Sequence, residues 1–294
     1  MDDTLDIISE AEIKQQVSQF YDQVGWQEVG EGVYQNARYE DLRLVSREYI
    51  HRCHLRVNRH LKPSGRYLLD AGSGPIQYPE YLTYSEGYAY RVCADISHVA
   101  LQEARKRIGD HGLFVVADVA KMPFRADVFD GVVSLHTIHH LPQDEHVQAY
   151  ADIFRVLMPG STAVVVNGWH DPPLGVVLDK LRRWMLRWRG RIRRLLRRPS
   201  VGEKTKLGQV GQKPGDPKST FVDKSTPTWL KREVGAQMPI KIWVWRSVSV
   251  KVLRAFIHEG WGGRGILRFL YWLEERFPRF FGENGQYPLI VINK

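Results

Sequence analysis

Cysteine is nearly absent from this sequence: Cys53 and Cys93 are the only two in 294 residues. Two thiols at that spacing build neither a disulfide framework nor a C-x-x-C metal site, and they read as buried thiols in a reducing compartment. Long hydrophobic runs are missing as well, with none approaching the roughly 18 apolar residues of a spanning helix. The opening "MDDTLDIISEAEIK" is acidic and lacks the positive n-region and apolar h-region of a signal peptide. These absences predict a cytoplasmic protein, at most peripheral on the inner face of the membrane. One further absence is local: the stretch from Leu181 to Arg198, "LRRWMLRWRGRIRRLLRR", contains nine arginines and no acidic residue. Setting those nine aside from the 42 basic residues leaves as many as the 33 acidic ones, so the formal charge of +9 sits in one segment.

What is present is a regular alternation. "RYLLDAG" (66–72), "YRVCADI" (90–96), "LFVVADV" (113–119), "FDGVVSL" (129–135) and "STAVVVN" (161–167) are short apolar, β-branched runs. Amphipathic stretches such as "SHVALQEARKRIG" (97–109) and "DEHVQAYADIFRVLMPG" (144–160) separate several of them. This pattern predicts a doubly wound α/β fold, a parallel sheet covered on both faces. Residues 1–60 read as a helical segment, with "YEDLRLVSREYIHRCHLRVNRHL" (39–61) leading into the first strand. After Asn167 the alternation stops. Asp171, ahead of Pro172 and Pro173, predicts a helix start with the aspartate as cap. The segment 199–227, rich in Gly, Pro, Lys and Ser, reads as a loop. Beyond it, "TWLKREV" predicts a short helix, "IKIWVWRSV" (240–248) a strand, "GILRFLYWLEERF" (265–277) an aromatic helix and "YPLIVINK" (287–294) a closing strand. The chain divides on this reading into 1–60, a core at 61–170, a basic helix and loop at 171–238, and closing strands with a helical insertion at 239–294.

The sharpest motif is "LLDAGSGP" (68–75), between a strand and a helix pattern. Gly72 and Gly74 permit a tight turn whose backbone approaches a ligand closely. Asp95, at the end of the second strand, is placed to accept both ribose hydroxyls of a nucleoside. Asp118 with Val119, closing the third, suit an adenine: an acid for the exocyclic amine and a backbone N–H for the ring. With Asp70 that makes three acids at three successive strand ends. The dinucleotide fingerprint needs a third glycine at position 77, which is Gln77. No G-x-x-x-x-G-K-[ST] phosphate loop and no G-x-S-x-G elbow occurs either.

The pieces "LLDAGSGP", "CADIS", "VVADVAKMPF", "VFDGVVSLHTIHHLP" and "DIFRVLMPGSTAVVV" together resemble the class I S-adenosylmethionine-dependent methyltransferases, in the branch of the ubiquinone and menaquinone C-methyltransferases. Pro75-Ile76 after the glycine turn, and Met158 and Ser161 near the fifth strand, depart from the family pattern. The resemblance implies a Rossmann-like sheet closed by an antiparallel C-terminal hairpin, and S-adenosyl-L-methionine as cofactor. By it, Gly72, Ser73 and Gly74 face the methionine portion, with Asp70 beside them, and Asp95 and Ile96 face the ribose. Asp118 and Val119 face the adenine, and Leu135 and His136 line the donor methyl. The enzyme so implied transfers a methyl group to a small-molecule or lipid-like acceptor.

In-line methyl transfer asks the protein to exclude water and align the acceptor, with a general base where the acceptor carries a proton. His136, His139 and His140 in "HTIHH" are the candidate bases, the alternative being that they cap or pack beneath the next helix. No metal site is expected. Tyr21, Trp26 and His170 are further candidates for the pocket wall.

On a helix, Leu174, Val177, Leu178, Leu181, Trp184, Met185, Trp188, Ile192, Leu195 and Leu196 share a stripe about 120° wide, and all nine arginines fall outside it. Val176, Leu186 and Gly190 interrupt the polar side. A basic helix with tryptophans on its apolar side suits an anionic membrane surface, through residues 174–198. Packing on the sheet with solvated arginines is the alternative, and nucleic acid is the weaker partner, since no RNA-binding module accompanies the arginines. The competing functions are accordingly an RNA methyltransferase and a non-catalytic S-adenosylmethionine-binding partner.

Overall fold

The computed structural model describes residues 10–22, 28–30, 33–34, 40–196 and 220–294. The β-branched runs form one seven-stranded sheet: β1 (Gly65–Ala71), β2 (Tyr88–Asp95), β3 (Gly112–Val116), β4 (Phe129–Leu135), β5 (Leu157–Val166), β6 (Ile240–Arg246) and β7 (Tyr287–Asn293). Consecutive residues of a strand face opposite ways, which is why these runs are apolar throughout. Leu69, Val92, Val132 and Val165 enter one packed layer. Their neighbours Leu68, Cys93, Val133 and Val164 enter the other. Helix α4 (Gln143–Val156) covers the first layer through Ala149, Tyr150 and Ile153. Helix α3 (His98–Ile108), capped by the Ser97 hydroxyl accepting from the Ala100 amide, covers the second through Leu101 and Ala104.

The strand order is β3-β2-β1-β4-β5-β7-β6. β7 alone runs opposite to the other six strands. The fold is the Rossmann-like sheet with its antiparallel closing hairpin that the sequence predicts. Because β1 and β4 are adjacent but not consecutive, the connections leave them in opposite directions. The crevice above their C-terminal ends is the position where such sheets bind ligands.

Besides a four-residue turn of helix at Pro79–Leu82, the other helices are α1 (Glu10–Phe20), α2 (Leu44–His54), α5 (Pro173–Leu196), α6 (Pro227–Glu233), α7 (Val250–Phe256), α8 (Gly263–Arg276) and α9 (Pro278–Asn284). A third apolar cluster joins α2, α7 and α8 through Tyr49, Ile50, Leu253 and Leu267. Both α7 and α9 go beyond the sequence reading. Each follows a strand or helix directly and is too short for a periodicity to show.

Three local expectations change. β3 stops at Val116 rather than Val119, because the Asp118 carboxylate turns back to accept the Ala120 amide at 2.9 Å and the chain leaves the ladder. Helix α5 starts at Pro173 as predicted, but Asp171 sits at φ +41° with its carboxylate toward His170 at 3.8 Å, outside the cap. The apolar stripe of α5 divides: Leu178 packs into the third cluster, whereas Val177 (62%) and Trp184 (58%) are exposed. The side chains of Ile192, Leu195 and Leu196, and the segment 197–219, lie outside the described residues. Among the described residues no helix is long and apolar enough to cross a membrane. Both thiols are buried, and burial pushes each up to about 12.

Candidate active site

The turn after β1 carries the first wall of the site. Gly72 adopts φ +74° and Gly74 φ +55°, the left-handed region that a side chain disfavours. A Cβ on Gly72 would also stand 2.1 Å from the Thr137 methyl, because Thr137 leans across the turn and donates to the Gly72 carbonyl at 3.1 Å. Gly72→Ala is therefore expected to destabilise the fold by about 1–3 kcal/mol in urea titration. Combining it with Thr137→Ala should recover only part, since the strained φ remains; full recovery would show that the clash alone sets the cost.

Behind this turn Asp70 is buried, its Oδ2 accepting from Arg91 Nε at 3.1 Å and from Arg91 Nη2. Burial holds its carboxyl above the usual range, with Arg91 pulling the other way. Asp95 ends β2 and braces the turn: its Oδ2 accepts the Gly74 amide at 2.9 Å and its Oδ1 the Ser97 amide at 2.8 Å. Burial pushes this carboxyl up to about 6, the two amides lowering it by less. Asp118 gives one oxygen to the Ala120 amide and the other to Lys14 Nζ at 2.6 Å, and Lys14 also meets Glu145 at 2.6 Å. Helix α1 thus lies over this flank. Its extension places Asp22 as acceptor for the Ser97 hydroxyl and Tyr21 beside His140.

The second wall follows β4. His136 sits at φ +59°, its amide donating to the Val166 carbonyl at 2.7 Å. Its ring lies 5.0 Å from that of Trp245 and 5.5 Å from that of Tyr287. His139 Nδ1 lies 3.3 Å from Asn167 Oδ1. His140 has both nitrogens engaged: Nδ1 donates to the Phe221 carbonyl at 2.8 Å, so Nε2 accepts from the Tyr21 hydroxyl at 2.8 Å. Burial is the first cause holding all three down, His136 to about 3, His140 to about 4 and His139 well below its ordinary value. The three rings are neutral at physiological pH.

These walls enclose one cavity of about 490 Å³. Every residue predicted for the cofactor lines it: Asp70, Gly72, Ser73, Gly74, Asp95 and Ile96 on the first wall, Asp118 and Val119 on the α1 flank, and Leu135 at the end of β4. His136, His139, His140 and Tyr21 line it too. His170 does not: its side chain is 64% exposed where the chain turns outward before α5. Trp26 lies outside the described residues.

Sequence reading missed the far flank, formed by Glu40, Tyr78, Lys224, Arg246 and Tyr287. Arg246 ends β6, pairs with Glu40 and stacks 4.7 Å from the Tyr287 ring centroid. Its signal was an arginine inside the otherwise apolar strand "IWVWRSV". The other four come from loops or strand ends with no motif.

Fold and site together define the architecture of the class I methyltransferases. Residues 69–165 match the family of the methyltransferase domain. A tRNA (carboxymethyluridine(34)-5-O)-methyltransferase of Arabidopsis thaliana is 28% identical over 144 residues, 42% of this chain and 33% of that protein. The same plant's 24-methylenesterol C-methyltransferase 3 is 34% identical over 109 residues, 35% of this chain and 29% of that protein. The matched stretch thus spans about a third of each curated relative. Phosphoethanolamine N-methyltransferase 1 of Haemonchus contortus, solved with phosphoethanolamine and S-adenosylhomocysteine, shares the fold with a TM-score of 0.54 at 9% identity, over 97% of this chain and 50% of that one.

Proposed function

We propose that this protein is an S-adenosylmethionine-dependent methyltransferase acting on a small-molecule or lipid-like acceptor. The observation that carries the proposal is the convergence of the strand-end acids and the glycine turn on one cavity at the β1–β4 switch point. The residues fit the cofactor. Gly72 leaves its backbone open where a Cβ has no room, and Asp95 offers a carboxylate already oriented by two amides. Gly72 to Gly74 would hold the methionine portion with Asp70 behind them, Asp95 and Ile96 the ribose, and Asp118 and Val119 the adenine. Leu135 and His136 would flank the donor methyl. When bound, S-adenosylmethionine supplies a methyl group activated by its sulfonium.

The chain's own residues do the rest. The cavity walls exclude water and fix the acceptor's approach. The neutral imidazoles of His136 and His139 keep a ring nitrogen free to accept a hydrogen bond from the methyl acceptor and orient it. His140, held between Phe221 and Tyr21, positions the cluster. The relatives named above act on a tRNA and on a sterol, so the acceptor class is read from the cavity. Purified protein, cofactor and a host extract, followed by an untargeted search for metabolites that gain a methyl group, test the proposal. Formation of S-adenosylhomocysteine with a methylated product is expected. Tight cofactor binding with no turnover on any acceptor would instead make the protein a non-catalytic binding partner.

We place this activity at an anionic membrane surface. The support is the exposed part of α5, where Trp184 and Trp188 lie 5.8 Å apart with Arg183, Arg187 and Arg191 exposed around them. Phe269 and Trp272, stacked at 5.7 Å on α8, form a second exposed aromatic pair. Flotation with phosphatidylserine-containing vesicles should recover the protein, and Trp184→Ala with Trp188→Ala should lower partitioning about tenfold. Salt-sensitive RNA binding with no vesicle recovery would favour an RNA methyltransferase.

A further inference from the structure

The flank of the cavity beyond β4 holds two cations that the cofactor-side acids do not reach. Arg246 is buried against Trp245 and Tyr287, its guanidinium 5.2 Å and 4.7 Å from their ring centroids. It pairs with Glu40, but that carboxylate is shared, lying 3.6 Å from His54 Nε2 and accepting the Asp41 amide at 3.1 Å. Arg246 Nε is buried with no hydrogen-bond partner among the described residues.

Lys224 is less compensated still. It is half-buried on the cavity wall and has neither an ion pair nor a hydrogen bond among the described residues. Its place is fixed from both sides: the Asp223 amide donates to the His139 carbonyl at 2.8 Å, and the Ser225 carbonyl accepts the His170 amide at 3.0 Å. Gly168 lies directly beneath it, for a Cβ there would stand 3.3 Å from Nζ. Burial first, and then the charge of Lys251, hold the amine below its ordinary range, while Asp171 draws it the other way from beyond pairing distance. The neighbouring histidines are neutral and offer no negative charge.

A cation removed from water without a partner is costly, and an anion brought to it recovers that cost. A second cation there would add repulsion. We propose that the methyl acceptor carries an anionic group, a carboxylate or phosphate, which Lys224 binds, with Arg246 a second cation lining the same cavity. The inference rests on the methyl-transfer reading, since that reading assigns the glycine turn and the strand-end acids to the cofactor.

The test uses the full chain loaded with S-adenosylhomocysteine, and three probes of one skeleton: 4-phenylbutyrate, 4-phenyl-1-butanol and 4-phenylbutylamine, titrated by calorimetry at pH 7. The carboxylate should bind at least tenfold more tightly than the alcohol, and the amine more weakly than the alcohol. Lys224→Met should remove that preference while leaving the alcohol and S-adenosylhomocysteine within twofold, and Lys224→Arg should restore it. Equal binding of the three probes overturns the proposal, as does a preference that survives in Lys224→Met. A tenfold loss of S-adenosylhomocysteine affinity in Lys224→Met also overturns it, because the lysine would then hold the cofactor's own carboxylate. Failure of the wild type to bind S-adenosylhomocysteine overturns the methyl-transfer reading itself, and the inference with it.

Discussion

Asp95→Ala is expected to weaken S-adenosylhomocysteine binding at least about a hundredfold, as measured by calorimetry. Two hydrogen bonds to a charged acceptor, at about 1.5–3 kcal/mol each, are lost together. The substitution also releases the Gly74 and Ser97 amides that the carboxylate now holds, so the glycine turn loses its brace. Asp95→Asn should bind poorly too, because its amide nitrogen would face one of those two N–H groups. Unchanged affinity in either variant would mean that the ribose does not lie here.

The same residue sets a pH dependence. In the free protein its carboxyl titrates at about 6, raised chiefly by burial. Ribose hydroxyls donate more strongly to the ionised form, so the bound complex has the lower value and binding expels a proton when the pH is below about 6. Affinity should therefore be flat above that value and fall by up to about tenfold per pH unit beneath it. Affinity that rises on acidification would contradict the assignment.

Arg56→Met is expected to cost about 3–5 kcal/mol of stability, read from the urea midpoint. Glu274 on α8 is fully buried, one oxygen accepting from the Tyr49 hydroxyl at 2.7 Å and the Ser247 amide at 2.9 Å. Its other oxygen accepts from Arg56 Nη1 at 2.9 Å, and that same nitrogen donates to the Trp245 carbonyl at 2.8 Å. Removing the arginine leaves a buried carboxylate with its neutral donors alone. The pair joins the chain after α2 to α8 and to the end of β6, where Arg246, the residue after Trp245, lines the cavity. The loss should therefore reach ligand binding as well as stability. A cost below about 1 kcal/mol would indicate that water or a shifted side chain replaces the guanidinium.

The centre of the sheet was legible because β1, β4 and β5 are buried on two faces and so read as apolar, β-branched runs. Leu68 and Leu69 illustrate this, each committed to a different layer. β7 was legible for the same reason. The cofactor side of the cavity was equally readable, since "LLDAGSGP", Asp95 and Asp118 each sit at the end of such a run, and adjacent parallel strands bring their ends to one edge. Short helices such as α7 carry too few residues to display a period, and they escaped notice.

The amino-acid order by itself determined the α/β alternation, the glycine turn and the acids at the ends of the first three strands, because backbone sterics and strand polarity fix these locally. Tertiary structure alone decided which histidine nitrogens are engaged, for Phe221 and Tyr21 approach His140 from segments 81 and 119 residues away. It also decided that Val177 and Trp184 face solvent while Leu178 packs, and that Lys224 and Arg246 line the same cavity as Asp118. Those outcomes depend on which distant surfaces meet and which charges lose their water, and no local pattern encodes that.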